Sequence, residues 1–265
     1  MKTLYLDLSM GAAGDMITGA LYELLDEAGK KEFLEKINGL GLHGVEVRVK
    51  NKTKCGVSGT EVDVLIHGHI EDEDHHGHHH GHDSEHHHEH RHEHHHEHHS
   101  MDDIGRIIDS LCVSDTVKIK AKEVYEVIAG AESKAHGVSV TEVHFHEVGA
   151  MDAVADVTAV CILMEMLAVD KVYSSPICVG YGTVECAHGI MPVPAPATAN
   201  ILEGLPTYPG DTEGEMCTPT GAALVKTFTD EFGPISEERP NRIGHGMGKR
   251  DYGVSSALTA FIMES

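Results

Sequence analysis

Val143-His-Phe-His-Glu-Val-Gly-Ala-Met-Asp-Ala-Val-Ala-Asp156 reads as a strand, a tight turn and the first turns of a helix. If the first part is extended, His144 and His146 fall on one face, because side chains alternate along a strand. Glu147 follows at once, and Gly149 and Ala150 permit a sharp turn. In the helix beyond it, Asp152 and Asp156 share a side at the i, i+4 spacing. From Met151 to Val169 the pattern is apolar nearly all round (Val154, Val157, Val160, Cys161, Leu163, Met164, Leu167, Ala168), as in a helix enclosed by its domain. A carboxylate such as Asp156 is costly there unless it is paired or bound to a metal. Imidazole with carboxylate is a donor set for Zn, Ni, Fe or Mn and suits phosphate-bound Mg less well. The stretch therefore predicts a metal or substrate corner. Its proposed metal ligands are His144, His146, Glu147 and Asp152, with Asp156 as a catalytic candidate. The plain alternative is a pair of ordinary strand histidines, a helix cap and a solvated face.

Working outward, the elements on both sides predict an α/β fold, a mixed sheet flanked by helices. Thr3 to Ser9 alternates Leu4, Leu6 and Leu8 with Tyr5, Asp7 and Ser9, a strand signal. Met10-Gly-Ala-Ala-Gly-Asp15 turns it into a helix with the inner face Ile17, Ala20, Leu21, Leu24 and Ala28. That turn can present backbone N–H groups to a phosphate, or Asp15 can simply cap the helix. Asp7, at the end of an apolar strand, holds a common place for a functional carboxylate. Asp7, Ser9, Gly11 and Asp15 have roughly the spacing of His144, His146, Gly149 and Asp152, so the two corners could face one cleft. Lys30 to Ile37 predicts a short helix ending at Gly39, and Val45 to Ile66 an edge hairpin. Asp102–Leu111 and Ser114–His136 predict helices, the second capped by Ser114 and stopped at Gly137.

After the corner, Lys171–Val179 predicts a strand. Gly180 to Pro206 predicts a proline-stiffened segment and a short helix over Ala197–Glu203. His188, in the loop before the prolines, is a candidate ligand or proton carrier, or else merely solvated. In Met216 to Phe228 the hydroxyls of Thr218 and Thr220 can cap a helix or hold an anion. Gly244-His-Gly-Met-Gly-Lys-Arg-Asp251 predicts a glycine-rich loop whose basic pair, Lys249 and Arg250, suits a phosphate or carboxylate. Ser256–Met263 predicts a closing strand. Of the scattered cysteines, Cys186 and Cys217 stand in loops where a thiol could reach a ligand.

Residues 67–100 are a different material, with eighteen histidines among Asp, Glu and Gly. Such a segment cannot bury enough surface to offset its ordering entropy, and a disordered His-rich insertion is predicted. Neutral imidazoles at that density, including His75, His76, His78, His79, His80, His82, His86, His87 and His88, bind Ni, Cu and Zn. A cloning tag is the competing explanation, although tags are usually terminal and uninterrupted. Without one fixed geometry, the tract reads as a reservoir rather than an active site. The domain reading follows: 1–66 and 101–265 form one α/β domain, interrupted by 67–100.

The chain has 265 residues and a formal charge of -23 at pH 7. That charge disfavours nucleic acid and anionic membrane as partners, since both need clustered Lys and Arg. No apolar span is long enough to cross a bilayer, and Asp7 comes too early for a signal peptide, so a cytoplasmic location is expected.

In order, D-L-S-M-G-A-A-G-D-M from Asp7, the Val143–Asp156 stretch, G-T-V-E-C-A-H-G-I-M-P-V-P-A-P-A-T from Gly182, C-T-P-T-G-A-A-L from Cys217 and G-H-G-M-G-K-R-D from Gly244 resemble the nickel-insertion (LarC) family nearly end to end. The resemblance implies a nickel chelatase of the lyase class, a CTP-dependent cyclometallase. Such an enzyme inserts nickel into pyridinium-3,5-bisthiocarboxylic acid mononucleotide to form the nickel-pincer nucleotide of lactate racemase. It implies nickel and CTP with Mg or Mn as the small partners, a lactate racemase-type apoenzyme downstream, and a homo-oligomer. Full-length relatives continue into a C-terminal nucleotide-binding domain, in some made through a frameshift, so a separate C-terminal polypeptide is an expected partner for turnover. On this reading Asp7, Asp15, Asp156 and His188 are the candidate catalytic groups, and Thr218, Thr220, Lys249 and Arg250 the candidate cofactor-binding groups. Two rivals stay open: a non-catalytic nickel store or chaperone, which needs only the tract, and a metal-dependent hydrolase, which needs an ordered site with an open water position.

Overall fold

The computed structural model of the chain describes residues 1–70, 99–145, 151–186, 188–235 and 239–264, with backbone alone at 70 and 144. Among these, an eight-stranded mixed sheet forms the frame. The first strand, β1 (Lys2–Asp7), is buried along its length, so its alternating leucines face one layer and Tyr5 the other. The turn after it leads into α1 (Gly14–Glu23), which stops before Ala28; a new helix, α2 (Glu27–Asn38), is capped by Asp26 through Gly29 N. The strands β2 (Val45–Lys54) and β3 (Val57–Ile66) form the expected hairpin, with Cys55 and Gly56 both at positive φ in its turn. β4 (His69–Ile70) folds back on β3, and β5 (His99–Ser100) opens the chain beyond the histidine tract.

Ser100 caps α3 (Met101–Ser110) in a reciprocal box with Asp103, and Ser114 caps α4 (Asp115–His136), which ends at Gly137 in the left-handed region. A short strand, β6 (His144–Phe145), precedes α5 (Met151–Leu167). Eleven side chains of α5 are buried, as its apolar circumference requires, and it packs among α1, α2, α4 and α7 below. Then come β7 (Lys171–Ser174), β8 (Ile177–Cys178), β9 (Gly180–Tyr181), the hairpin of β10 (Thr183–Cys186) and β11 (Gly189–Pro192), and α6 (Pro196–Ile201). β12 (Thr207–Tyr208), β13 (Gly214–Glu215), α7 (Pro219–Phe228), β14 (Glu231–Phe232), β15 (Arg242–Met247) and β16 (Ala257–Glu264) complete the order.

The sheet runs β14-β7-β1-β16-β15-β3-β2, with β4 beside β3. β16 lies antiparallel to both of its neighbours, β1 and β15. The β7–β1, β14–β7 and β15–β3 pairs are parallel. Strands from before and after the tract thus share one sheet, and no described helix is long and apolar enough to cross a membrane.

Two expectations are corrected. The strand expected over Lys171–Val179 is broken, because Ile177 and Cys178 leave the main sheet to pair with β12. The Gly244 loop is in its first half a strand. A Cβ on Gly246 would stand 1.7 Å from Met16 O, and one on Gly244 2.2 Å from Ala20 O. These glycines let α1 lie directly on the backbone of β15, so their cause is packing.

Candidate metal and substrate site

Asp152 and Asp156 project from the start of α5, both half-buried. One oxygen of Asp156 is shut off from solvent, and its carboxylate lies against Gly14, where a Cβ would come within 2.8 Å of Oδ2 and 2.9 Å of the Asp156 Cβ. The glycine that opens α1 therefore makes room for a carboxylate of α5. The two corners matched by spacing in the sequence meet here, at the level of their helices.

A residue not singled out in the sequence lies within the field of these carboxylates. Tyr125 of α4 is fully buried, and its ring meets Phe145 edge-on at 6.0 Å. Burial, followed by the charges of Asp152 and Asp156, raises its phenol well above the usual value. Tyr125 therefore stays protonated, within range of the charges of Asp152 and Asp156. Its signal in the sequence was a phenol on the apolar stripe of α4, between Val124 and Ile128.

The Ala12–Gly14 turn is stitched to the start of α7. Ala12 N donates to Met216 O and Thr218 N to Ala12 O, both at 3.0 Å, and Gly221 fits because a Cβ there would meet Ala12 O at 2.1 Å. Thr218 caps α7, its Oγ1 accepting from Gly221 N at 3.1 Å, and Thr220 is half-buried in the first turn. Asp15 does not cap α1, since Ala13 holds that place; its Oδ1 accepts from Met16 N at 2.8 Å. Asp7 accepts from Ser9 N at 2.9 Å; the Tyr208 phenol is raised by burial first, then by Cys178 and the charge of Asp7.

Lys249 and Arg250 follow β15. Lys54 Nζ donates to the carbonyls of Gly248, Lys249 and Arg250 at 2.6, 3.2 and 2.8 Å, which fixes the turn. Arg250 reaches the nearly buried Glu215 at 3.4 Å, and Glu215 is followed by Met216, which binds Ala12. Contacts thus run from Arg250 through Glu215, Met216, Ala12 and Gly14 to Asp156. Cys217 is corrected as a ligand candidate. It is fully buried in a bridge with Ala12, and burial raises its thiol far out of reach of ionisation. Cys186 donates to Gly189 O at 3.4 Å in the β10–β11 hairpin.

His188 stands apart from the carboxylates. It is exposed in the turn of that hairpin, with its ring 5.0 Å from that of His136, the last residue of α4. Tyr125 and His136 are eleven positions apart on α4, about 16 Å of helix rise. The backbone of His144 pairs with Ser100, and Phe145 with His99. The proposed ligands His146 and Glu147 and the histidines from His75 to His88 lie outside the described residues. Among the described residues, no three His, Cys, Asp or Glu side chains already converge as a metal cage. A cleft of about 480 Å³ between α1 and the β2–β3 hairpin, lined by Tyr22, Glu23, Lys50 and Thr60, contains none of the candidate residues.

With this geometry in view, relatives give the chain a context. It is 43% identical over 274 residues to a protein of Lactiplantibacillus plantarum named pyridinium-3,5-bisthiocarboxylic acid mononucleotide nickel insertion protein, covering 100% of the chain and 62% of the relative. A protein of the same name from Geobacillus kaustophilus is 40% identical over 252 residues, covering 95% and 57%, and one from Clostridium kluyveri 39% identical over 265 residues, covering 100% and 62%. The chain thus spans about 60% of the length of the curated relatives it matches. No solved structure matches it. The family model described as nickel insertion protein matches residues 4–265, nearly every position of the sequence. The chain therefore belongs to the nickel insertion protein family.

Proposed function

We propose that this chain gathers nickel on its histidine tract and inserts it into pyridinium-3,5-bisthiocarboxylic acid mononucleotide at the corner formed by α1, α4 and α5, in a CTP-dependent reaction that supplies a lactate racemase-type apoenzyme. The observation that carries the reading is the β5–β6 pairing. His99, the last histidine of the tract, is in register with Phe145, and Ser100 with His144. The tract thus re-enters the fold beside His144 and Phe145, so captured metal would arrive next to the start of the proposed ligand set His144, His146, Glu147 and Asp152. Names of relatives that cover 60% of their length with this chain support the substrate; CTP dependence and the racemase follow from the resemblance of the motifs.

In this reading the two thiocarboxylates of the substrate give sulfur ligands to nickel while a ring C–H is replaced by Ni–C, and the proton must go to a base. Asp156 is the proposed acceptor. Tyr125, held protonated, cannot take that proton, but its hydroxyl can donate to a carboxylate and hold it in place. The turns at Asp7–Asp15 and Thr218–Thr220, with Lys249 and Arg250, are proposed to hold the phosphates of substrate or CTP. The portion that the longer relatives possess would act with this chain, in cis or as a second polypeptide.

The test is nickel calorimetry on three proteins: the intact chain, one with 71–98 replaced by a short Gly-Ser linker, and that variant carrying His144→Ala and His146→Ala. Keeping 67–70 and 99–100 preserves β4, β5 and the Ser100 cap. Retention of one site after the deletion, and its loss in the double substitution, is the expected result. Loss of all binding on deletion would leave a nickel store and remove the insertion reading.

A further inference from the structure

Glu132 and His136 occupy the last turns of α4, one turn apart, and His188 faces them from the β10–β11 hairpin. Glu132 Oε2 lies 3.4 Å from His136 Nε2, and the two imidazole rings are 5.0 Å apart at 45°. Nothing described above requires this meeting. The hairpin side chains are largely exposed, and the ring contact does not belong to the main core.

Metal chemistry accounts for it. With metal–nitrogen bonds of about 2.0–2.1 Å, two imidazoles on one ion place their ring centres roughly 4.5–5.2 Å apart for bond angles between square and tetrahedral. The observed 5.0 Å falls in that interval. A carboxylate oxygen and an imidazole nitrogen bound to the same ion stand roughly 3.0–3.4 Å apart by the same bond lengths, and the Glu132–His136 separation is 3.4 Å. The C-terminus of α4 adds the negative end of its dipole, which favours a cation. Lys134, the nearest base on the helix, is turned away to Glu203 at 2.6 Å and does not compete. The three groups do not yet converge on one point, and rotation of the exposed His188 side chain is the adjustment that closes them.

We infer that Glu132, His136 and His188 form a divalent-metal site of two imidazoles and one carboxylate, which takes nickel, cobalt or zinc and leaves a coordination position open. Its role as a station between tract and corner rests on the nickel-insertion reading; its capacity to bind metal does not. Tyr125, Glu132 and His136 lie along one stripe of α4 at i, i+7 and i+11, so the site and the Asp152–Asp156 corner are reached along the same helix face.

The tract would mask this site in a plain titration, so the test gives the site a signal of its own. In the full chain, His188→Cys is titrated with cobalt, and sulfur-to-cobalt charge-transfer absorption is recorded against the unsubstituted protein. The expected result is a band in His188→Cys that disappears when His136→Ala is added and needs roughly tenfold more cobalt when Glu132→Gln is added. Identical spectra for His188→Cys with and without His136→Ala, whether both show a band or neither does, overturn the proposal. Melting temperatures without metal confirm that each variant folds. The same titration in His144→Ala/His146→Ala separates the two readings: a band that persists there keeps this site even if the insertion corner fails, because cobalt binding needs neither substrate nor CTP.

Discussion

Two residues bear on Asp156: Gly14 makes room for it by lacking a side chain, and the buried Tyr125 feels its charge. Gly14→Ala drives a Cβ to 2.8 Å from Asp156 Oδ2, and a loss of about 1–3 kcal/mol is expected from overpacking. Gly130→Ala, on an exposed part of α4 with nothing within 4 Å, should instead stabilise by about 0.5–1 kcal/mol. Thermal melts of the pair distinguish a glycine required by its neighbour from one that is merely tolerated. Tyr125→Phe keeps the ring against Phe145 and deletes only the O–H. The melting temperature should shift little while formation of the nickel-pincer nucleotide falls roughly tenfold, as for other groups that orient a ligand. An unchanged rate would remove Tyr125 from the site.

The β2–β3 hairpin shows what an element can hold by charge. Glu61 has only 4% of its side chain exposed, yet Lys50 and Lys52 reach it at 2.8 and 3.2 Å, and Lys50 also reaches Asp63 at 2.7 Å. Burial pushes the Glu61 carboxyl upward, but the two lysines outweigh it and hold it below its ordinary value. A carboxylate so depressed adds stability above the unfolded-state value of about 4.3 and loses it as pH falls through the folded value. Glu61→Gln should therefore cost about 1–2 kcal/mol at pH 7, since the lysines are half-exposed. The difference from the parent protein should shrink as pH falls below about 4.3 and vanish once pH is below the folded value, in denaturant titrations. At this scale much was legible in the sequence. The capped helix α4 and the edge hairpin follow from Ser114, Gly137 and alternating valines. The β15 glycines misled because a glycine that loosens a loop and one that admits a helix against a strand look alike until the partner, here α1, is known.

Across the whole molecule, the sequence announced the Asp152–Asp156 helix because an apolar circumference made two carboxylates conspicuous. It could not show that Gly14 receives Asp156, that Tyr125 overlooks both, or that His188 belongs with His136, since each contact joins segments far apart in the chain. The tract was legible from composition alone, and its attachment beside His144 was not. Replacing 71–98 by a linker should strip most of the nickel capacity while leaving the melting temperature within a few degrees, because both of its anchoring strands remain. A large fall in melting temperature would mean that the tract is part of the fold.

β16 is the last strand of the sheet in sequence and stands between β1 and β15 at its middle, opposite Lys2 to Asp7 along one edge and Arg242 to Met247 along the other. During synthesis at about 5–20 residues per second, the β1 edge that β16 covers therefore stays open for roughly 10–50 s, although β7 can pair with the other edge sooner. Throughout that interval an apolar strand offers an open row of backbone donors and acceptors to whatever passes. The order of manufacture leaves the newborn chain exposed to edge-to-edge association, and a product cut before Ala257 should be found in aggregates rather than as a weakened soluble domain.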